Sequence, residues 1–138
     1  MSKQILVIDG QGGQLGSQII KELRAKDADI HITAVGTNSV ATAAMLKAGA
    51  DKAATGENPA VVACRKADVI IGPVGIVIAD AMLGEITPAM AVAIGQADAV
   101  RILIPVNKCE NQVAGVGTLS VTALIQDAVA KAEQVIAP

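Results

Sequence analysis

Short apolar runs alternate with amphipathic stretches along the whole chain of 138 residues. The runs are rich in branched side chains, which is typical of buried strands. Between them, apolar residues recur every three or four positions, as in helices that bury one face. Strands are predicted at 5–8, 30–35, 52–54, 69–71 and 100–104, and helices at 13–25, 39–48, 76–83, 88–95 and 119–136, with a further helix starting at Asn58-Pro59 and a sixth strand at 113–116.

Capping residues support several of these helix boundaries. Asn38 or Ser39 is a suitable N-cap for the second helix, and Gly49 is a suitable terminator. Thr87 followed by Pro88 is a helix start, because proline is favoured at the first helical position.

Alternating strands and helices predict a parallel sheet with helices on both faces. The predicted fold is therefore a single Rossmann-like domain over 1–138, a three-layer α/β/α sandwich with a mainly parallel sheet of five to six strands. In such sheets ligands bind beyond the carboxyl ends of the strands, where the strand order reverses.

A glycine-rich turn follows the first strand and opens the first helix. It comprises Gly10, Gln11, Gly12, Gly13, Gln14, Leu15 and Gly16. Gly10, Gly13 and Gly16 fit the spacing G-x-x-G-x-x-G, which resembles the dinucleotide-binding turn of extended short-chain dehydrogenases. Such a turn exposes backbone N–H groups beside the positive end of a helix dipole, so it favours a phosphate. We expect Gly13→Val to block that phosphate without disturbing the fold.

Other features of this turn favour a purely structural role. The third glycine of the stricter G-x-G-x-x-G pattern would fall on Leu15, and no lysine follows the glycines as in a P-loop. Asp9 stands directly before the turn, where it either repels phosphate, binds a cation or caps the turn. The glycines would then serve only to make the turn and its packing.

Further candidate residues follow the other strands at the same edge of the sheet. Thr37 and Asn38 take the place of the acidic ribose ligand of dinucleotide folds, and Asn38 is equally explained as a cap. The remaining candidates are Gly72, Pro73, Val74 and Gly75 after the fourth strand, and Asn107 and Lys108 after the fifth.

Three side chains have both a chemical and a structural interpretation, and a fourth has only a structural one. Asp80 and Glu85 either reach the cleft, where they would act as acid and base or hold a metal, or they are solvent-facing or capping residues. Cys109 is either a nucleophile activated by its neighbouring lysine or an inert thiol. The only histidine, His31, is interpreted as a partly buried strand residue. No catalytic residue and no metal ligand is assigned.

Composition favours self-association. Hydrophobic residues make up 52% of the chain and charged residues only 17%, below the usual ~25%. With so little charge on the exterior, we expect a homo-oligomer that buries apolar surface, through helices near 76–83 or 119–136.

The absence of Phe, Trp and Tyr excludes tyrosine-dependent dehydrogenase chemistry and aromatic stacking on a base. The net charge of −2 without a basic run argues against nucleic acid as a partner. No apolar run has the ~20 residues that a membrane span needs, and no signal peptide precedes the first strand, so we expect no membrane partner and a cytoplasmic protein.

Several segments together resemble a family. They are IDGQGG at 8–13, GTN at 36–38, MLKAGAD at 45–51, ATGEN at 54–58, IGPVGI at 71–76 and MLGEITP at 82–88. These segments look like a small uncharacterised bacterial family, known as a domain of unknown function, which has a Rossmann-like glycine-rich N-terminal motif. The resemblance covers almost the whole chain and implies a Rossmann-like fold, but it implies no activity.

The sequence thus predicts binding of a nucleotide, a dinucleotide such as NAD(P), or a similar phosphorylated small molecule at the glycine-rich turn. The reaction and the cofactor remain unknown. Two alternatives stay open: a non-catalytic homo-oligomeric structural or regulatory protein, and a small enzyme that uses the loop containing Lys108 and Cys109.

Overall fold

A computed structural model describes residues 3–106 and 110–138. The strands are β1 (Gln4–Asp9), β2 (His31–Gly36), β3 (Lys52–Thr55), β4 (Val69–Pro73) and β5 (Val100–Ile104). The helices are α1 (Gln14–Lys26), α2 (Ser39–Ala48), α3 (Glu57–Cys64), α4 (Pro88–Gln96) and α5 (Val121–Ile136), and a single 3₁₀ turn spans Val74–Val77.

The five strands form one parallel sheet in the order β3-β2-β1-β4-β5. The chain runs outward from β1 through β2 to β3, and then crosses back to place β4 on the other side of β1. The strand order therefore reverses beside β1. This is the predicted Rossmann-like α/β fold, and the carboxyl ends of β1 and β2 meet where Asp9 pairs with Gly36.

Alternate residues of β1 face two separate cores. Ile5 and Val7 pack on one face with apolar side chains of α1, α2 and α5. Leu6 and Ile8 pack on the other face with side chains of α3 and α4. All four side chains are at most 1% exposed, as expected for a central parallel strand covered on both sides.

The caps predicted at Asn38, Gly49 and Thr87 are confirmed, whereas the helix predicted to start at Asn58-Pro59 begins at Glu57 with Gly56 as its N-cap. The Asn38 side chain accepts a hydrogen bond from the N–H of Ala41 at the start of α2, and Gly49 ends that helix with φ 123°. The Thr87 hydroxyl accepts a bond from the N–H of Met90, with Pro88 in the first turn of α4.

The predicted helix at 76–83 is wrong. After the 3₁₀ turn the chain forms a compact loop, closed by a bond from the N–H of Asp80 to the carbonyl of Ile86 at 2.7 Å. Asp80, Met82 and Leu83 adopt positive φ, which a right-handed helix excludes. Met82 and Ile86 are buried, so tertiary packing stabilises the loop against the helical preference of its sequence.

The predicted sixth strand at 113–116 is also wrong, because the described part of the chain contains no strand after β5. The segment is largely exposed, and Gly115 has φ 82°, a conformation that interrupts an extended run. No helix among the described residues is long and apolar enough to cross a membrane.

Candidate functional site

The turn after β1 is closed by its own backbone. The N–H of Gly13 donates to the carbonyl of Gly10 at 2.9 Å, and Gly13 has φ 73° immediately before α1. Such a φ strains any residue that carries a side chain. The turn therefore delivers the chain directly into the N-terminus of α1, whose first N–H groups have no partners within the helix.

Asp9 is a buried side chain that stabilises this turn through hydrogen bonds to its backbone. Its carboxylate is 6% exposed, and it accepts hydrogen bonds from the N–H groups of Gly10 and Gly16, both at 2.8 Å. Burial raises the pKa of Asp9, the bonds from Gly16 and Gly10 oppose that rise, and the charge of Glu85 adds to it. The geometry matches the capping interpretation of Asp9.

Glu85 lies at the turn, a position that the sequence did not predict. One carboxylate oxygen, Oε1, accepts the N–H of Gln11 at 2.8 Å and the Asn38 amide at 3.1 Å. The same oxygen accepts the Thr37 hydroxyl. A carboxylate from the loop before α4 thus stands at the carboxyl end of β2. Dinucleotide folds place an acidic ribose ligand at this position, whereas Glu85 comes from a different segment of the chain.

The second carboxylate oxygen of Glu85, Oε2, has no hydrogen-bonding partner within the described residues. Partial desolvation raises the pKa of Glu85, but the bonds from Gln11, Thr37 and Asn38 outweigh it, so the pKa lies below its ordinary value. Glu85 is therefore ionised at neutral pH, and Oε2 can accept further hydrogen bonds.

Thr37 and Asn38 connect the end of β2 to the glycine turn. The N–H of Thr37 donates to the carbonyl of Asp9 at 3.1 Å. The Asn38 amide donates to the carbonyl of Gln11 at 2.9 Å while its oxygen caps α2. Both sequence candidates thus lie at this site, and the structural role proposed for Asn38 is confirmed.

A cavity of about 260 Å³ opens at this turn. It is lined by Asp9, Gly10, Gln11, Gly12, Gly13, Gln14, Leu15 and Met82. The N–H groups of Gly12, Gln14 and Leu15 have no hydrogen-bonding partners in the described part of the protein. These three donors surround the start of α1, where the helix dipole favours an anion.

The glycines of the turn have different roles. A Cβ at Gly13 would lie 2.7 Å from the Ala41 backbone, and a Cβ at Gly16 would lie 2.5 Å from the Met45 sulfur. A Cβ at Gly12 would meet nothing within 4 Å. The expectation that Gly13→Val leaves the fold intact is therefore wrong, because Gly13 is needed for the contact between α1 and α2. Gly12 faces open space.

The four candidates Gly72 to Gly75 do not line this cavity, and the first two belong to β4, which is two residues longer than the sequence predicted. Gly72 approaches the carbonyl of Ile8 so closely that a Cβ would lie 2.4 Å from it, and a Cβ at Gly75 would lie 3.2 Å from Ala81. Pro73 is buried, and Val74 begins the 3₁₀ turn. Close packing thus accounts for these glycines, and none of the four residues contributes to the described lining of the cavity.

Other sequence candidates do not join the site. Asn107, Lys108 and Cys109 lie outside the described residues. Asp80 is exposed in the loop, and Cys64 is buried on α3, where burial raises the pKa of its thiol. Within the described ranges, no three His, Cys, Asp or Glu side chains come close enough to hold a metal ion.

Comparisons with known proteins identify a family and a solved structure that resembles the chain. The model of the family described as "Domain of unknown function (DUF3842)" matches residues 4–137. No curated protein matches the chain. A dodecameric FMN-dependent Ubix-like decarboxylase from Escherichia coli O157:H7 is 13% identical, with a TM-score of 0.43; the match covers 96% of this chain and 92% of that one.

Proposed function

The chain belongs to the DUF3842 family, and from its own residues we propose that it binds a nucleotide or dinucleotide at the glycine-rich turn. In this proposal the N–H groups of Gly12, Gln14 and Leu15 bind the phosphate. Glu85 Oε2 accepts hydrogen bonds from the ribose hydroxyls. The observation that carries the proposal is the carboxylate of Glu85 at the end of β2, beside a turn whose N–H groups include three without a partner among the described residues.

The charges around the turn favour a ligand with little phosphate charge. Asp9 and Glu85 are both acidic, and no lysine or arginine lines the cavity among the described residues. A triphosphate would be repelled by two nearby carboxylates, whereas each phosphate of a dinucleotide diester carries a single charge. A phosphate on the ribose 2′ position would meet Glu85 directly. These charges support NAD or ADP-ribose over ATP and NADP.

Calorimetric titration of NAD, NADP, ADP-ribose and ATP into the protein tests the proposal. We expect NAD and ADP-ribose to bind more tightly than ATP or NADP. Glu85→Gln should weaken NAD binding about tenfold or more, because a hydrogen bond to a charged group contributes roughly 1.5–3 kcal/mol. The same substitution should reduce the difference between the affinities for NAD and NADP. Glu133→Gln, on α5, is the matched control and should change neither affinity.

Gly12→Asp supplies an independent variant at the phosphate end. Its side chain enters open space, so the fold should persist while the added carboxylate repels the phosphate. Absence of binding by all four ligands at millimolar concentration would reject the proposal in favour of a structural or regulatory assembly. If wild type, Glu85→Gln and Gly12→Asp bound NAD with equal affinity, the nucleotide would bind elsewhere.

A further inference from the structure

A second cavity, of about 430 Å³, lies on the side of the sheet that carries α3. Gln4, His31 and Lys52 line it, and they are the first residues of β1, β2 and β3. The glycine-rich turn lies at the opposite, carboxyl ends of the strands. The cavity is therefore separate from the proposed nucleotide site.

Incomplete helix cover creates this cavity. Three helices, α1, α2 and α5, contribute to the core on one face of the sheet, but only α3 and α4 contribute to the core on the other. The space beside α3 has a floor of strand residues and a wall of helix residues. Ala54 of β3 belongs to the floor, and Val62 of α3 belongs to the wall.

The charged groups of the cavity are all of one sign. Lys52 and Lys66 stand at its exposed rim, and its lining contains no Asp or Glu. Neither lysine forms an ion pair with any described residue. Two carboxylates flank the region, but Asp51 is hydrogen-bonded to Arg24 and Asp68 to the N–H of Gln4. The rim thus presents two unpaired ammonium groups above a mainly apolar floor.

His31 adds an unmet hydrogen bond to this lining. Its Nδ1 atom is buried and has no hydrogen-bonding partner among residues 3–106 and 110–138. A buried polar atom without a partner is costly, and such atoms are rare in folded proteins.

We propose that this cavity binds a small amphiphilic anion, whose apolar body fills the space beside α3 and whose single carboxylate or phosphate contacts Lys52 and Lys66. The volume lies in the range of ~300–1,000 Å³ typical of ligand pockets, and a mostly apolar lining with a few polar groups is their usual composition. The unpaired positive charges select an anion over a neutral amphiphile.

Titration of decanoate and of decanol, its uncharged counterpart, into the full-length protein tests this proposal. Wild type should bind decanoate at least tenfold more tightly than decanol at low salt. The double variant Lys52→Gln with Lys66→Gln should bind the two equally. Lys21→Gln with Lys47→Gln removes the same charge from α1 and α2 and should retain the preference for decanoate. Equal binding of decanoate and decanol by wild type would overturn the proposal.

A cavity-filling variant locates the binding independently of charge. Ala54→Leu adds apolar volume at the half-buried floor, so it should weaken both decanoate and decanol by about tenfold or more, with an unchanged circular dichroism spectrum as the check on folding. Unchanged binding in this folded variant would place the ligand elsewhere and overturn the proposal. A third outcome would also overturn the proposal: wild type fails to bind decanoate, and Val62→Lys converts an oligomer to a monomer. Those two results together would show that this surface binds a second copy of the chain.

Discussion

Alanine at Gly13 should destabilise the protein strongly and alanine at Gly12 hardly at all, although the two glycines are adjacent. Gly13 has φ 73°, and a Cβ there would lie 2.7 Å from the Ala41 backbone. A left-handed residue with a side chain costs roughly 1–2 kcal/mol, and overpacking against backbone costs about 1–3 kcal/mol more. Gly13→Ala should therefore destabilise the protein by about 2–5 kcal/mol. Gly12→Ala should lie within ~0.5 kcal/mol of wild type, as at an open surface position.

Thermal unfolding followed by far-ultraviolet circular dichroism measures this difference, since the chain contains no aromatic residue for fluorescence. For a chain of this size each kcal/mol shifts Tm by about 3–4 °C, so Gly13→Ala should lower Tm by roughly 6–20 °C and Gly12→Ala by less than about 2 °C. Equal Tm values for the two variants would refute the proposed turn geometry, and so would a larger loss at Gly12.

Three further predictions concern capping, pH and assembly. Urea unfolding should show that Asn38→Ala lowers the free energy of unfolding by about 2 kcal/mol and Ser120→Ala by about 1 kcal/mol. Both side chains cap a helix, but Asn38 also forms hydrogen bonds with Gln11 and Glu85, so equal losses would contradict this prediction. The hydrogen bond from the Ile32 N–H, together with Arg24, lowers the pKa of Asp51. The stability that the ionised Asp51 contributes should therefore be lost as the pH falls from about 3.9 through that lowered pKa. If an Asp51→Asn variant lost stability in acid in the same way as wild type does, this prediction would be refuted. Light scattering should give a mass above 13.9 kDa, because Leu83 is 99% exposed and charged residues are few; a monomer at micromolar concentration would contradict self-association.

Local sequence patterns were sufficient to predict most of the fold. Apolar runs located all five strands, and the capping residues Asn38 and Thr87 located the starts of two helices. These features depend on neighbouring residues, so periodicity and capping preferences reveal them. The loop at 78–86 was missed because its positive φ angles are imposed by the burial of Met82 and Ile86, which are contacts with distant parts of the chain.

The candidate site was predictable only in part, for the same reason. The glycine turn and the end of β2 lie next to strands, so the rule for parallel sheets brought them together. Glu85 was not predicted there, because it reaches Gln11 across 74 residues of chain. Its position depends on the shape of the mispredicted loop. The individual roles of Gly12 and Gly13 likewise depend on α2, which packs against one of them and leaves the other open.

The amide resonances of the glycine turn provide the most direct measurement of nucleotide binding. NAD is titrated into isotopically labelled protein while the backbone N–H signals are recorded. The amides of Gly12, Gln14 and Leu15 should shift together and saturate, because their unpaired N–H groups would contact the phosphate. Amides beside the second cavity, such as that of Ala54, should stay unchanged. Saturating shifts confined to residues away from the turn, or no shifts at millimolar NAD, would contradict binding at this turn.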